Sequence, residues 1–303
     1  MIEISQLKLS KLENFNIIHY HSSSVPLFPL ITQSIISKPS IFHDYGIVPL
    51  KFIGNLRNIV FSLVTERLNR CFLSTFSSVV TINNFLANEL KKYHPKEVKV
   101  VPGGVEHGMF HPLECSEVDK YRYGEPQLLY VGSYTYHKNV DFLIECLPVL
   151  LKKWPHLKLV IVGHGDPIRK NYLLTKANCL NVHYALKLIE NVDTYRLSLL
   201  YNASDVFITA SYWEGFCLPI IEAMACGKPV IARDSFATGE HVKKSGGGEL
   251  FVKNSWEVLL ALDRILANYK QYSINALRYA NNFSWDKSAK LIRSIYISIL
   301  QNE

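Results

Sequence analysis

The 303-residue sequence contains no uninterrupted apolar run of about 18 residues, the length that a membrane-spanning helix needs. None of its six cysteines forms a C-x-x-C pair, so the usual spacing of a zinc site or a disulfide framework is missing. No Gly-Lys-Ser or Gly-Lys-Thr follows a glycine-rich stretch, which argues against a Walker loop. We therefore do not expect a membrane-spanning protein, a disulfide-stabilised secreted domain or a P-loop nucleotidase.

Charge of either sign is also modest, with 33 Lys and Arg against 26 Asp and Glu, a formal net charge of +7. The basic residues are scattered, so no basic aromatic stripe indicates nucleic-acid binding. The small excess favours anionic small molecules or phospholipid surfaces as partners. Residues Met1 to Glu13 lack the apolar block of a signal peptide. We therefore expect a cytoplasmic protein with reduced thiols and no nucleic-acid partner.

What the sequence does contain is a long series of apolar runs separated by turns and amphipathic stretches. Apolar residues make up 48% of the chain, which is enough for two packed α/β domains. A polar stretch from Leu113 to Pro126 is the predicted linker between them. The predicted strands are Phe15–Tyr20, Ser40–His43, Ser78–Ile82, Val98–Val101, Gln127–Val131, Leu157–Val162, Asn181–Tyr184, Asp205–Ala210 and Pro229–Ala232.

Helices are predicted between most of these strands, and Ser235–Gly248 is predicted to be a glycine-rich loop. The pattern of Lys51–Leu73 predicts a basic amphipathic helix. Such a helix either lies on an anionic membrane or packs on a sheet with its charged residues facing the solvent. The other predicted helices are Asn83–Tyr93, Val140–Lys153, Asp193–Asn202, Ile220–Ala225, Trp256–Asn268, Ser273–Phe283 and a last one from Trp285 to Leu300.

One stretch organises the second half of the chain, from Asp205 to Asp234. It begins with the β-rich run Asp205–Ala210, passes through a turn and continues from Pro219 as a short helix that Gly227 ends. The second apolar run, Pro229–Ala232, follows. Amides at a helix start are unpaired and partly positive, so this turn and helix start form a seat for a phosphate.

Two carboxylates flank this seat, Glu214 in the turn and Glu222 about one turn into the helix. Carboxylates are poor phosphate ligands, but they accept hydrogen bonds from hydroxyl groups. A sugar on one side, a ribose on the other and a diphosphate between them would match a nucleotide sugar. The spacing allows equally for an ordinary helix in which Glu222 is merely tolerated near the N-terminal end.

The same residues resemble a known signature. Glu214 to Glu222, followed by Ala223 to Val230, is similar to the E-x7-E motif and trailing Gly-x-Pro-Val of retaining GT-B glycosyltransferases, most of all glycosyltransferase family 4. The resemblance implies that Glu214 holds donor-sugar hydroxyls at the catalytic centre and that Glu222 holds the ribose. It also implies donor contacts, largely through the backbone, from Gly215, Phe216, Cys217 and Leu218.

A second strand, glycine loop and helix lie earlier in the chain. Gly132 to Asn139 connects the predicted strand to the helix Val140–Lys153, which makes another anion seat. Lys138 near the helix start is the natural counter-charge for a diphosphate and a predicted catalytic residue. The family usually carries Gly-Arg where this chain has Gly132 and Ser133. The resemblance therefore implies that leaving-group stabilisation falls on Lys138 and on backbone amides.

Further donor contacts are implied by the resemblance alone. Gly163 starts a Gly-x-Gly that the family places beside the donor, and Ile168 at the third glycine position argues against a dinucleotide fingerprint. The resemblance also implies that the base of the nucleotide lies against the loop after the strand Asn181–Tyr184, around Ala185 and Leu186.

Three histidines follow two predicted strands at the ends where open parallel sheets bind ligands. His43 matches one of the family's strand-end motifs, which implies a catalytic position near the donor sugar and the acceptor. His19 and His21 match another of these motifs less closely. A histidine bonded to nearby backbone is the structural alternative at each position.

The resemblance implies an α/β protein of the GT-B fold, with two Rossmann-like domains facing a cleft and a shortened N-terminal domain. Residues 1–122, joined by a returning helix 286–303, would form the acceptor side, and residues 123–285 would bind the nucleotide sugar. We expect retaining transfer of a hexose from a UDP- or GDP-sugar to a hydroxyl of a glycan, lipid or protein. No D-x-D pair occurs, so no metal or other cofactor is expected. A non-catalytic sugar-nucleotide-binding subunit that needs a partner chain is the alternative. Peripheral membrane contact at the inner face and a homo-oligomer stay open.

Overall fold

The computed structural model describes residues 15–22, 38–46, 73–91 and 97–301. The chain divides into a first unit, Met1–Gly103 with Asp286–Glu303, and a second unit, Gly104–Trp285. Residues 1–13 and the predicted helix Lys51–Leu73, except Leu73, lie outside the described residues, so membrane contact through that helix stays a prediction. None of the helices in the described part of the chain is long and apolar enough to cross a bilayer.

Most of the predicted strands and helices are present, with ends shifted by a few residues. The described strands are β1 Ile18–Ser22, β2 Ser40–Asp44, β3 Ser78–Thr81, β4 Val98–Val100, β5 Gln127–Val131, β6 Lys158–Val162, β7 Leu186–Ile189, β8 Val206–Thr209, β9 Val230–Arg233 and β10 Gly248–Phe251. The described helices are α1 Asn84–Leu90, α2 Ser116–Asp119, α3 Val140–Lys153, α4 Pro167–Cys179, α5 Thr194–Ala203, α6 Leu218–Ala225, α7 Phe236–Ser245, α8 Ser255–Ala267, α9 Tyr269–Ala280 and α10 Trp285–Gln301.

The first unit contains a parallel sheet of order β1-β2-β3-β4. Alternate residues of each strand point to opposite faces, which gives the sheet two apolar sides. Phe42 and Val79 belong to one side, and Ile41 and Val80 to the other, where Ile295 of α10 packs. The last helix therefore belongs to the first unit.

The second unit contains a parallel sheet of order β10-β9-β8-β5-β6-β7. The chain runs from β5 outward to β6 and β7, then returns to β8 beside β5 and continues outward to β9 and β10. The four inner strands, β5, β6, β8 and β9, are almost entirely buried, and the edge strands β7 and β10 are partly exposed, as expected for a doubly wound α/β domain.

Two predicted elements are wrong. The strand predicted at Asn181–Tyr184 is instead a turn directly after α4, because Asn181 has a φ of 55° and the Val182 amide donates to the carbonyl of Ala177. Ser235–Gly248 is not a loop, since Phe236–Ser245 is helical and Gly246, with a φ of 59°, ends the helix. Apolar residues on one side of α7, such as Val242, are buried and hold it in place despite its glycine and lysines.

The first unit ends earlier than the sequence suggested, at Gly103 instead of residue 122. Residues after Gly103 pack on the second unit. The Leu113 amide donates to Asn202 Oδ1 at 2.9 Å, and the Arg122 guanidinium contacts both carboxylate oxygens of Asp205 at 3.0 and 3.1 Å. The polar composition of this stretch reflects a surface segment that is fixed by hydrogen bonds.

Candidate active site

The loops after β5 and β8 leave the second sheet at the point where its strand order reverses. Open α/β sheets bind ligands at such a switch point, outside the carboxyl ends of the strands. Lys138 lies on the loop after β5 and Glu214 on the loop after β8, and the two strands are hydrogen-bonded neighbours. The topology therefore brings together two residues that lie 76 positions apart in the chain.

Lys138 and Glu214 form an ion pair at this edge of the sheet. The Lys138 Nζ lies 2.7 and 2.8 Å from the two carboxylate oxygens of Glu214, and the Ser211 hydroxyl donates to Oε1 at 2.8 Å. Glu214 is only 9% exposed, so water screens the pair less than it would at the surface. The sequence placed both residues at one site but did not predict that they touch, and it missed Ser211.

The pair keeps hydrogen-bonding capacity for a ligand. An ammonium group has three N–H donors, and Glu214 takes two of those of Lys138. A carboxylate oxygen accepts about two hydrogen bonds, and within the described residues Oε2 of Glu214 accepts only from Lys138. One donor and one acceptor position are therefore left side by side.

Helix α6 begins directly after the turn that carries Glu214, as predicted. Cys217 precedes the helix with a φ of 65°, and Pro219 in the first turn lacks an N–H that would otherwise need a partner. The Ile220 amide already donates to the Cys217 carbonyl at 3.0 Å, and the remaining amides of the first turn form the positive end of the helix dipole. Burial and the nearby Glu214 raise the pKa of the Cys217 thiol well above its ordinary value, so this cysteine is not an activated nucleophile.

His241 of α7 holds the turn before α6. Its Nε2 lies 2.7 Å from the carbonyl oxygen of Phe216, and its Nδ1 lies 3.0 Å from the Tyr279 hydroxyl. The Phe216 ring packs edge-on against the imidazole and is itself buried. Burial lowers the pKa of His241 to about 4, so the ring is neutral near pH 7. The prediction of a loop at Ser235–Gly248 hid this residue.

Glu222 lies one turn inside α6 and is half-buried. The Tyr201 hydroxyl donates to Oε2 of Glu222 at 2.7 Å, and the tyrosine itself is fully buried. Burial raises the pKa of Glu222, although this hydrogen bond opposes the shift. Tyr201 thus fixes one carboxylate oxygen and leaves the other for a hydroxyl. The sequence analysis missed Tyr201, and the contact of Glu222 with a ribose stays a prediction.

Gly132 and Gly163 allow the loops after β5 and β6 to lie against each other. A Cβ on Gly163 would lie 1.9 Å from the carbonyl oxygen of Gly132, which itself has a φ of 153°. Ser133 accepts a hydrogen bond on its carbonyl from the Tyr130 hydroxyl at 2.9 Å, and its own hydroxyl lies 3.0 Å from that of Thr135. All three predicted donor residues lie at the carboxyl edge of the sheet, and their donor contacts stay predictions.

The predicted position of Ala185 and Leu186 is wrong. Leu186 is the first residue of β7 and pairs with Leu159, whereas Val162 at the end of β6 pairs with Ile189. At about 3.3 Å per residue, Leu186 lies roughly 10 Å from the ligand-binding edge. Ala185 is fully buried before the strand. The error follows from placing the strand too early, and the loop after Ile189 takes their place at the edge.

A histidine cluster, formed by His19, His21 and His43, lies in the first unit at the carboxyl ends of β1 and β2. The ring centroid of His43 lies 5.5 Å from that of His19 and 5.4 Å from that of His21. Burial lowers the pKa of His43 to about 4 and that of His19 to about 3, so these rings are neutral near pH 7.

His43 is 6% exposed, and neither of its ring nitrogens has a hydrogen-bond partner within the described residues. The structural alternative, a histidine bonded to backbone, is therefore not what this part of the chain contains. An unpaired buried nitrogen costs on the order of 1–3 kcal/mol. The catalytic role of His43 stays a prediction.

A family model described as "Glycosyl transferases group 1" matches residues 117–281, which is more than half of the chain. The chain belongs to this family. The chain is 29% identical over 242 residues to an uncharacterized glycosyltransferase of Methanocaldococcus jannaschii, covering 74% of this chain and 61% of the relative. It is 31% identical over 175 residues to the D-inositol 3-phosphate glycosyltransferase of Rhodococcus erythropolis, covering 55% of this chain and 40% of the relative.

Solved structures with low sequence identity share the fold of this chain. Sucrose-phosphate synthase from Thermosynechococcus elongatus has a TM-score of 0.82 at 18% identity, covering 97% of this chain and 76% of that one. Anabaena HepE in complex with UDP and glucose has a TM-score of 0.81 at 18% identity, covering 96% and 79%. The fold is GT-B, as predicted. The matched region spans only 61% and 40% of the lengths of the two curated relatives. The substrates and partners of this chain are therefore proposed below and are not taken from those relatives.

Proposed function

We propose that this protein is a retaining hexosyltransferase, which moves a hexose from a UDP- or GDP-sugar to a hydroxyl group of a glycan, lipid or protein acceptor. The observation that carries the proposal is the Lys138–Glu214 pair, at 2.7 and 2.8 Å, beside the start of α6 at the switch point. A cation, a carboxylate and the start of a helix thus lie together at one edge of the sheet. A sugar diphosphate needs these three kinds of group, because its phosphates are anionic and its sugar offers hydroxyls.

In this proposal each residue has one task. Lys138 uses its remaining N–H on the diphosphate, and the first amides of α6 add to the positive charge there. Glu214 accepts from hydroxyls of the sugar, and Glu222 accepts from the ribose. Ser211 and Tyr201 keep the two carboxylates oriented. All of these groups are in place before the ligand arrives, so binding requires little rearrangement.

The reaction exchanges one bond at the anomeric carbon for another. The bond from the anomeric carbon to the phosphate oxygen breaks, and a bond to the acceptor oxygen forms on the same face of the sugar. The departing phosphate takes the proton of the acceptor hydroxyl, so no protein nucleophile is needed. Charge develops on the leaving diphosphate, where Lys138 and the α6 amides stabilise it. We propose that these groups make a metal ion unnecessary.

The relatives favour a nucleoside diphosphate sugar as the donor. HepE has been solved with UDP and with UDP-glucose, and a curated relative is named for glycosyl transfer to D-inositol 3-phosphate. These properties belong to those proteins and support the class of donor proposed for this chain. We propose a uridine nucleotide as the first to test, followed by guanosine.

The test is turnover by purified protein supplied with UDP- and GDP-hexoses, with and without hydroxyl acceptors, followed as release of the nucleoside diphosphate. We expect turnover with at least one donor. Lys138→Ala should lower kcat by roughly 10²–10³-fold, the usual cost of removing one group that stabilises a developing anion. Lys243→Ala is the matched control, since that lysine forms an exposed ion pair with Asp234 outside the site.

Undiminished turnover in Lys138→Ala, with folding verified by circular dichroism, would refute the role proposed for this lysine. Tight binding of a donor without any hydrolysis or transfer would refute the enzyme proposal itself. That result would favour the other candidate, a sugar-nucleotide-binding subunit that requires a partner chain.

A further inference from the structure

The histidine cluster of the first unit arises from strand pairing. His19 and His21 are two residues apart on β1, so their side chains lie on the same face of the sheet. His43 on β2 is paired directly with His21 in the parallel register. A His-x-His on one strand and a histidine opposite on the next strand therefore place three imidazoles together.

The ring nitrogens of the cluster are close enough to share one ion. One nitrogen from each of His19, His21 and His43 can be chosen so that all three lie within 4.8 Å of one another. Within the described residues, His19 Nε2 and both nitrogens of His43 are buried without a hydrogen-bond partner. A buried polar atom with no partner calls for an explanation, and a missing ligand supplies one.

Two tyrosines orient the cluster from outside. The Tyr296 hydroxyl lies 2.7 Å from His19 Nδ1, and the Tyr45 hydroxyl lies 2.6 Å from His21 Nδ1. If each Nδ1 carries the proton and donates to its tyrosine, the Nε2 lone pairs of both histidines are left for a ligand. Metal-binding histidines are held in this way, by a hydrogen bond on the nitrogen that does not ligate.

We propose that His19, His21 and His43 bind one divalent transition-metal ion of the zinc class, with a fourth coordination position left open. Imidazole nitrogens suit zinc, copper and nickel, and a set without a carboxylate oxygen does not suit magnesium or calcium. Three protein ligands and an open position are the arrangement of sites that bind a further molecule at the metal.

The test uses the full chain without an affinity tag, dialysed against a chelator and then titrated with Zn²⁺ or Co²⁺. We expect one ion per chain in calorimetry and, with Co²⁺, the visible absorption of a four-coordinate site. His21→Ala should weaken Zn²⁺ binding by at least about 100-fold, because a lost ligand costs more than a lost supporting hydrogen bond. His21 is exposed, so this variant should fold.

Further variants separate the cluster from incidental metal binding. Tyr45→Phe removes a supporting hydrogen bond and should weaken binding by roughly 10-fold, while the ligands stay in place. His183→Ala and the double variant Cys115→Ser, Cys179→Ser remove exposed groups elsewhere and should bind as the parent does. Their loss of binding, or unchanged binding in His21→Ala, would overturn the proposal. Because the readout is metal binding, the result does not depend on the transfer reaction.

Discussion

His241 in the second unit and His43 in the first are 5% and 6% exposed, and burial lowers the pKa of each to about 4. Their surroundings differ. His241 has Phe216 and Tyr279 as hydrogen-bond partners, whereas His43 has no partner among the described residues. The hydrogen bonds of His241 are thus supplied by the protein itself, whereas the ring nitrogens of His43 are left for another partner.

The same contrast separates the two candidate sites. Around α6 the charged groups have protein partners, since Lys138 pairs with Glu214 and Tyr201 with Glu222. Such a site keeps its shape without a ligand, which is what stabilising a developing charge requires. In the histidine cluster the partners are missing, so a ligand would relieve the cost of the unpaired nitrogens. In this account the site around α6 is preorganised by the protein, whereas the histidine cluster is completed by a ligand.

The largest effect should come from the charge of Glu214. Glu214→Gln keeps the size of the side chain but removes the charge that fixes Lys138, so we expect kcat for transfer to fall about 10²–10³-fold. Steady-state kinetics with the preferred donor measures this. Glu145→Gln, in an exposed pair with Lys176, is the control and should retain full activity. Activity within a few-fold of the parent would mean that the pair is only structural.

Acid should weaken the second unit through His241. Its pKa is about 6.5 in the unfolded chain and about 4 when folded, so the neutral ring stabilises the fold fully above pH 6.5. This contribution, on the order of 3 kcal/mol, is lost as the pH falls from 6.5 towards 4. Denaturant unfolding at several pH values measures it. We expect His241→Leu to show a shallower acid dependence than the parent, and parallel curves would mean that His241 is not the cause of the acid sensitivity.

The two histidines give a matched pair for stability near pH 7. His241→Leu leaves the Phe216 carbonyl and the Tyr279 hydroxyl without this partner, so we expect a loss of about 2 kcal/mol in the free energy of unfolding. His43→Leu removes two unpaired nitrogens, so we expect no loss or a gain of about 1 kcal/mol when a chelator is present. Equal losses in the free energy of unfolding of His241→Leu and His43→Leu would show that the two histidines do not differ as described.

The smallest effect should come from Tyr201. Tyr201→Phe removes the hydrogen bond to Oε2 of Glu222 but keeps the buried ring, so the carboxylate loses its fixed orientation. We expect the Kd for the nucleoside diphosphate to rise about 10-fold, since a hydrogen bond to a charged group contributes roughly 1.5–3 kcal/mol. Calorimetry with UDP and GDP measures the change. Tyr195→Phe, at an exposed tyrosine bonded to Glu117, is the control.

The parts of the candidate site that the sequence predicted are local. Glu214, the start of α6 and Glu222 lie within a few residues of one another, so the helix start followed from local residue pattern and the two glutamates from the resemblance to a family motif. Lys138 was found because a strand, a glycine loop and a helix also form a local pattern. Their direct contact was not predicted, because it depends on the pairing of β5 with β8, which brings together residues 76 positions apart.

The residues that support the site could not be found in the same way. In the sequence Tyr201 looks like an ordinary helix residue, and only the tertiary structure shows that its hydroxyl reaches Glu222. His241 was hidden by the glycine and lysines of α7, whose helix is held by buried apolar contacts instead of propensity. Ala185 and Leu186 were misplaced because Val182 and its neighbours look like a strand but form the turn that follows a helix.

The most direct test of the central claim is a crystal structure of the protein with a bound UDP- or GDP-hexose that it turns over. We expect a sugar hydroxyl within hydrogen-bond distance of Glu214, the diphosphate against Lys138 and the first turn of α6, and the ribose on Glu222. A nucleotide bound away from the switch point of β5 and β8, with these side chains untouched, would contradict the account.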